Sequence, residues 1–343
     1  MASSGVSTFR LNRDQIIAQA LIKVGALDPE NVSSVTPSQT TNTANVLNLM
    51  IKAWETKGLQ LWERKYGVIF TNKGQGVYVL GNPGPSGDHS SLTTNLLGVG
   101  GFIQTTLSVS AIVGAGSITL TTITNTGTPG IPDLSIATTF NIGIVLDNGT
   151  TQWTTVNGAP AGNVVTLTSV LTGAAAVGNK VYSYQTKLMR PLRVLDALYR
   201  QTAGNDIPVR IISREEYNRF GLKTSQGTSI QAYYDPQVNS GVFSFYPVPA
   251  DSVGQMYIEF QRPIDDFVTS TDDFDLPQEW GEAIVFNLAM RLIPDYRVPE
   301  MTANRIERFA EKFLKEVTDW DQEQASVYFQ PNSWMYETHY HGK

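Results

Sequence analysis

The sequence predicts an α+β protein: a discontinuous helical bundle from N- and C-terminal segments, an antiparallel β-sandwich or sheet, and an inserted all-β domain. Three observations carry this. Apolar residues recur at three- and four-residue spacing near both ends of the chain, which is the period of an amphipathic helix. Between Ser229 and Gln261 they alternate instead, with turn signals at Asp235-Pro236 and Asn239-Ser240-Gly241, which is the period of strands. From residue 92 to 179 the only charged side chains are Asp133 and Asp147, and Thr, Val, Ile, Gly, Ser and Ala dominate.

Asn12 caps a first helix over Arg13 to Ala26, with Ile16, Ile17, Ala20, Leu21 and Val24 on one stripe. Thr36-Pro37 opens a second helix to about Lys57, burying Val46, Leu47, Met50, Ala53 and Trp54. Two short amphipathic helices cannot cover both their faces alone, so they call for the C-terminal helices as partners. Strands follow at Tyr66 to Phe70 and Gly76 to Leu80, then a Gly/Pro linker at 81–85.

The uncharged stretch alternates in Ser117 to Thr121 and in Val164 to Thr168, with turns at Gly114-Ala115-Gly116, Asp147-Asn148-Gly149 and Asn157-Gly158. It reads as a small sandwich or barrel. Strand edges so poor in charge invite aggregation, so neighbouring subunits or the parent sheet are expected to cover them. The parent sheet is expected to resume over Lys180 to Met189, followed by a strand from Pro191 to Leu198 and a capped short helix at Ser213-Arg214-Glu215-Glu216.

Past the acidic loop, Pro277 starts a helix with Ile284, Leu288, Met290 and Leu292 on its apolar face. A last helix over Met301 to Gln324 repeats Ile306, Phe309, Phe313, Val317 and Trp320, with Glu307, Arg308, Glu311, Lys312 and Lys315 on the wet side. The domains are therefore expected at 1–61 (helical hairpin), 62–85 (strands of the parent sheet), 86–180 (inserted all-β domain), 181–276 (parent sheet), 277–325 (C-terminal helices) and 326–343 (extended tail). Ile284, Leu288, Phe309, Phe313, Trp320 and Trp54 are the expected packing residues of the bundle and of its contacts between subunits. The tail carries Tyr328, Phe329, Trp334, Met335, Tyr336 and Tyr340 without any period that would bury them, as a partner-binding arm would.

Four phrases, YYDP, GVFSFYPVP, EFQRPIDDF and DFDLPQEWGEAIVFNLAMRL, resemble the head-to-tail adaptor proteins of short-tailed phages, also called tail accessory factors or tail tubular protein A. RDQIIAQALIKVGAL with NVLNLMIKAWETKGLQLWE resembles the same family, so the likeness covers roughly residues 8 to 85 and 186 to 325. It implies a structural virion protein: a ring, twelve-fold in this family, beneath the portal, joining capsid to tail nozzle around the DNA exit channel. By the same resemblance the aromatic tail docks on the portal protein, and the sheet with its insert faces the nozzle or tail fibres.

Composition agrees with that role and narrows the rest. Cysteine is absent, which removes disulfide frameworks and thiolate chemistry. A net charge of −6 disfavours a sequence-reading DNA protein but suits a conduit that DNA slides through without sticking. No eighteen-residue apolar run is present, so no membrane span is expected, and the polar start does not read as a secretion signal.

No nucleotide-binding or metalloprotease motif occurs, and neither a cofactor nor a metal is expected. His339 and His341 are two imidazoles without a third ligand, and His89 sits in a Ser/Gly/Pro linker rather than on a rigid element. Two alternative functions stay open. One is a virion-associated cell-wall hydrolase using paired carboxylates from Asp265, Asp266, Asp272, Asp273 and Asp275. The other is a receptor- or glycan-binding tail module formed by the β insert.

Overall fold

The computed structural model describes residues 9–31, 34–56, 61–81, 88–94, 101–125, 133–201 and 204–321. It has a mixed α+β architecture in two compact units, Met1–Met50 with Phe267–Lys343 and Ile51–Asp266.

The first unit is helical. Asn12 caps α1 (Arg13–Lys23) in a full capping box: its side chain accepts from the Gln15 N–H while the Gln15 side chain accepts from its own N–H. Thr36 and Gln39 exchange the same pair of bonds at the start of α2 (Pro37–Glu55), the helix in which the unit boundary falls. After the strands come α4 (Gly281–Tyr296) and α5 (Glu300–Trp320), separated by Arg297 in the left-handed region at φ 48°. α1 packs on α4 and α4 on α5, so the N- and C-terminal helices meet. Ile16, Ile17, Ala20 and Leu21 of α1 and Ile284, Leu288 and Leu292 of α4 are all buried.

The second unit is three β layers deep. Its central sheet runs β11 (Asp206–Pro208), β10 (Arg193–Arg200), β17 (Gln255–Gln261), β1 (Arg64–Phe70) and β3 (Ser90–Thr93), each strand antiparallel to its neighbours. A second sheet runs β12 (Arg210–Ile211), β14 (Gln231–Pro236), β15 (Gly241–Tyr246) and β2 (Val77–Leu80). Between them Ile69, Met256, Ile258 and Phe260 meet Tyr78, Leu80, Phe243 and Phe245 in one core. The short pair β13 (Gln226–Gly227) and β16 (Val248–Pro249) and the helix α3 (Arg214–Asn218), capped by Ser213 and Glu216, complete this part.

The third layer is the insert, and its topology answers the edge problem. β4 (Phe102–Thr106), β9 (Lys180–Tyr184), β6 (Asn141–Val145) and β7 (Thr151–Thr155) form one sheet, and β5 (Ser117–Thr119) pairs with β8 (Val164–Thr166). Backbone bonds from Asn157 to Thr166 and from Thr168 to Thr155 join the β7 end to the β8 end. Bonds from Ser108 to Thr119 and from Thr121 to Thr106 join the β5 end to the β4 end. The ring of strands closes, and a barrel has no edges to protect. The expectation that neighbours or the parent sheet cover these edges is thus corrected: the insert covers its own. A threonine pair marks each seam, Thr155 with Thr168 at 2.8 Å and Thr106 with Thr121 at 2.9 Å. Inside lie Ile103, Ile118, Leu120, Ile142, Ile144, Val165 and Val181, among others.

Two strands fall on unexpected sides. Lys180–Tyr184, read from sequence as the returning parent sheet, is central in the barrel, between β4 and β6. Ser90–Thr93, placed with the insert, pairs with β1 of the parent sheet. Alternation identifies a strand but not its partner, and here the partners lie far apart in sequence.

The barrel packs on the central sheet through Phe102, Tyr182 and Tyr184 against Val68, Phe70 and Tyr257. β17 is therefore covered on both faces, with Ile258 turned to one core and Tyr257 to the other. Polar stitches flank this contact: Thr151 N–H donates to Asn72 Oδ1 at 3.1 Å, Ser252 Oγ to Gly149 O at 2.6 Å, and Gln255 Nε2 to Gln104 Oε1 at 3.1 Å.

Candidate assembly surfaces

Among the described helices α5 has the strongest amphipathic pattern, yet only Ile306 and Ala310 of its residues are buried. Phe309, Phe313 and Val317 are half-buried, and Trp320 is 68 % exposed. Phe286 of α4 joins Phe309 and Phe313 in a three-ring cluster with centroids 5.1 to 5.8 Å apart. Lys23, Arg308 and Lys312 lie over the three rings at 5.1 to 5.8 Å, so cations lid the cluster where protein does not.

What fixes this face is polar. Asn287 is buried between α4 and α5, donating from Nδ2 to Ala283 O at 2.8 Å and to Ala310 O at 3.0 Å. A buried amide that gains its bonds only at one helix offset holds the two helices in register. A groove of about 410 Å³, lined among others by Phe9, Leu11, Lys23, Val285 and Phe286, lies where α1 meets the start of α4.

Of the packing residues read from sequence, Ile284, Leu288 and Trp54 are buried, Phe309 and Phe313 half-buried, and Trp320 open. Tyr328, Phe329, Trp334, Met335, Tyr336 and Tyr340 lie outside the described residues, as do His339 and His341.

The acidic loop is built as a staple. Asp272 accepts from the backbone N–H of Val268 at 2.7 Å and of Thr269 at 2.6 Å, and from the Thr269 hydroxyl. These bonds, the Thr269 hydroxyl first, hold its carboxyl below the usual carboxylate range. The same loop receives Arg13, whose N–H donates to Asp272 O and whose Nη1 donates to Val268 O, each at 2.9 Å. In the other unit Asp266 pairs with Lys52 at 2.9 Å. Burial pulls Lys52 down, but hydrogen bonds to Asp266 and Glu55 outweigh it and leave the amine above its ordinary value. A glycosidase general acid needs the opposite environment, one that keeps a carboxyl protonated near neutrality. Asp272 is a turn cap. No cluster of metal-binding side chains occurs among the described residues, and no helix among them is long and apolar enough to cross a membrane.

Sequence reasoning missed His89. It is packed flat on Trp153, with ring centroids 3.9 Å apart at 4°, and its Nδ1 lies 2.7 Å from the Tyr184 hydroxyl. Burial, with Lys187 nearby, pushes its pKa down to about 3. A Ser/Gly/Pro neighbourhood carries no signal of this, because the residues that bury His89 come from the barrel.

The SU10 adaptor protein family matches residues 151–334, more than half of the chain, from β7 to beyond α5. The N-terminal helices, whose wording also suggested the likeness, fall outside that match. Comparison with curated proteins gives no match for the chain. Membership points to a structural rather than enzymatic protein of the virion, with portal and tail partners. With α5 offering a half-covered face and the acidic loop serving as a staple, the chain belongs to the SU10 adaptor protein family of phage head-to-tail adaptors.

Proposed function

We propose that copies of this chain form a ring beneath the portal, twelve-fold by resemblance, which joins the capsid to the tail nozzle and surrounds the channel through which DNA leaves. The observation that carries this reading is the phenylalanine face of α5, half-covered in a single copy. A neighbouring copy laid against Phe309, Phe313 and Trp320 finishes the bundle, and buried interface area does the work that catalysis does in an enzyme. The aromatic tail, Tyr328 to Tyr340, reaches the portal, and the sheets with their barrel face the nozzle or fibres. Net charge of −6 keeps DNA moving through the channel without sequence-specific binding.

Copies remain monomeric or weakly associated until a portal supplies the template. Light scattering on the purified chain, alone and with portal rings, tests this: monomers alone and a portal-bound ring together are expected. Stable rings without portal refute the template step. Replacing Phe309 and Phe313 together by Ser is expected to leave a folded monomer and to abolish ring formation. Ring formation by that double variant would remove α5 from the interface.

A further inference from the structure

A cleft of about 810 Å³ opens where the barrel meets the chain around His89 and the 185–189 segment. That is the size of small-ligand sites. Among the described residues it is lined by hydroxyls and amides that include Asn141, Thr168, Ser169, Gln185 and Thr186, with Asn141 Nδ2 donating to Gln185 O at 3.3 Å and Thr168 paired with Thr155, and by no carboxylate. Trp153 lines it too, with one indole face on His89 and the other against Gly143, where an added Cβ would come within 2.7 Å of the ring. Clamped on both faces, the indole offers a fixed rim. Among the described residues Lys187 is the one cation in the lining; burial lowers its pKa, and the Asp88 charge opposes that shift.

Each class of ligand can be weighed against this surface. An extended peptide adds to a free strand edge, but the 168–172 segment already runs along the outer side of β7: Thr168 N–H donates to Thr155 O, Ser169 N–H to Thr154 Oγ1 and Thr172 N–H to Gln152 Oε1. A nucleic acid or phosphate calls for several cations, and the cleft has one. A lipid calls for an apolar enclosure. Hydroxyls and primary amides both donate and accept, and the edge of a fixed indole gives a rigid apolar wall against which C–H groups pack by dispersion, which together fit a polyhydroxylated, uncharged chain.

We propose that this cleft binds a neutral oligosaccharide, with Asn141, Gln185 and the seam hydroxyls of Thr168 and Ser169 taking the sugar hydroxyls and Trp153 forming the rigid wall. The site is independent of ring formation and adds surface-glycan contact to the adaptor.

The chain has six tryptophans, so spectra of the protein with ¹⁵N-labelled indoles show few signals, and Trp153→Phe identifies the one that matters. Maltohexaose, chitohexaose and α-mannohexaose are titrated separately up to about 10 mM, a range that detects weak carbohydrate binding. At least one is expected to move the Trp153 signal while leaving the other indoles in place. Ser169→Arg and Gln185→Ala, both at exposed positions, are expected to weaken that response at least about tenfold, the loss of roughly one good contact. No movement with any of the three sugars overturns the proposal. So does an equal response to a Gly-Ser hexapeptide, or a response that survives Ser169→Arg unchanged.

Discussion

The barrel and α5 solve the same problem in opposite ways. Both are short of charge on the faces that matter, and both expose apolar surface if left alone. The barrel pairs its last strand ends with its first and fills its interior with its own side chains. α5 leaves Phe309 and Phe313 half-covered under a lid of Lys and Arg. Closure makes a part self-sufficient, whereas an open amphipathic face makes it a component.

The largest expected effect tests that contrast directly. Ile142→Ala removes a fully buried side chain from the barrel and is expected to cost about 2–5 kcal/mol in urea unfolding. Phe313→Ser, on the open face, is expected to cost under about 1 kcal/mol in the monomer, because much of that ring is still wet. Equal losses at the two sites would erase the distinction.

Next comes the joint between barrel and central sheet. A methyl at Gly143 meets the rigid Trp153 indole at 2.7 Å, so Gly143→Ala must push the ring off its seat on His89. The expected cost is about 1–3 kcal/mol. It is accompanied by a red-shifted tryptophan emission, since the indole becomes wetter. An unchanged spectrum would mean the barrel accommodates the methyl and the joint is loose.

The smallest effect per step is read in pH, one unit at a time. His89 is held neutral with a pKa of about 3, against 6.5 for the free side chain. Between those two values the unfolded chain binds more protons than the folded one, so stability falls as pH drops. The contribution is complete above about 6.5 and declines by at most roughly 1.4 kcal/mol per pH unit toward 3. His89→Gln keeps a hydrogen-bonding group opposite Tyr184 but does not titrate. Urea titrations at pH 7, 6, 5 and 4 are expected to show a shallower acid decline in the variant. Parallel curves would show that water reaches the imidazole.

Local grammar was readable from the chain, and long-range partnership was not. The capping residues Asn12 and Ser213, the proline start at Pro37 and the alternation of Met256, Ile258 and Phe260 stand in the structure where the residues imply them, whereas Pro277 opens a short 3-10 turn and α4 begins only at Gly281. Each depends on neighbours within a few positions. β9 was assigned to the wrong sheet because its pairing with β4 joins residues some eighty apart, as Phe102 does with Tyr184. His89 was read as linker for the same reason: Trp153 and Tyr184, which bury it, are distant in sequence. The helical packing residues Ile284 and Leu288 followed from period alone, while the openness of Trp320 did not, because it sits on the same apolar period as the residues that α4 covers.

Phe102 and Tyr184 face each other on adjacent antiparallel strands, so the chain enters and leaves the barrel at one point. A module attached by a single doorway can be lengthened, shortened or exchanged for another without moving β3 or β10 on either side of it. An adaptor built this way has a replaceable part on a fixed mechanical frame, and sequence change is tolerated best on the barrel side of that doorway.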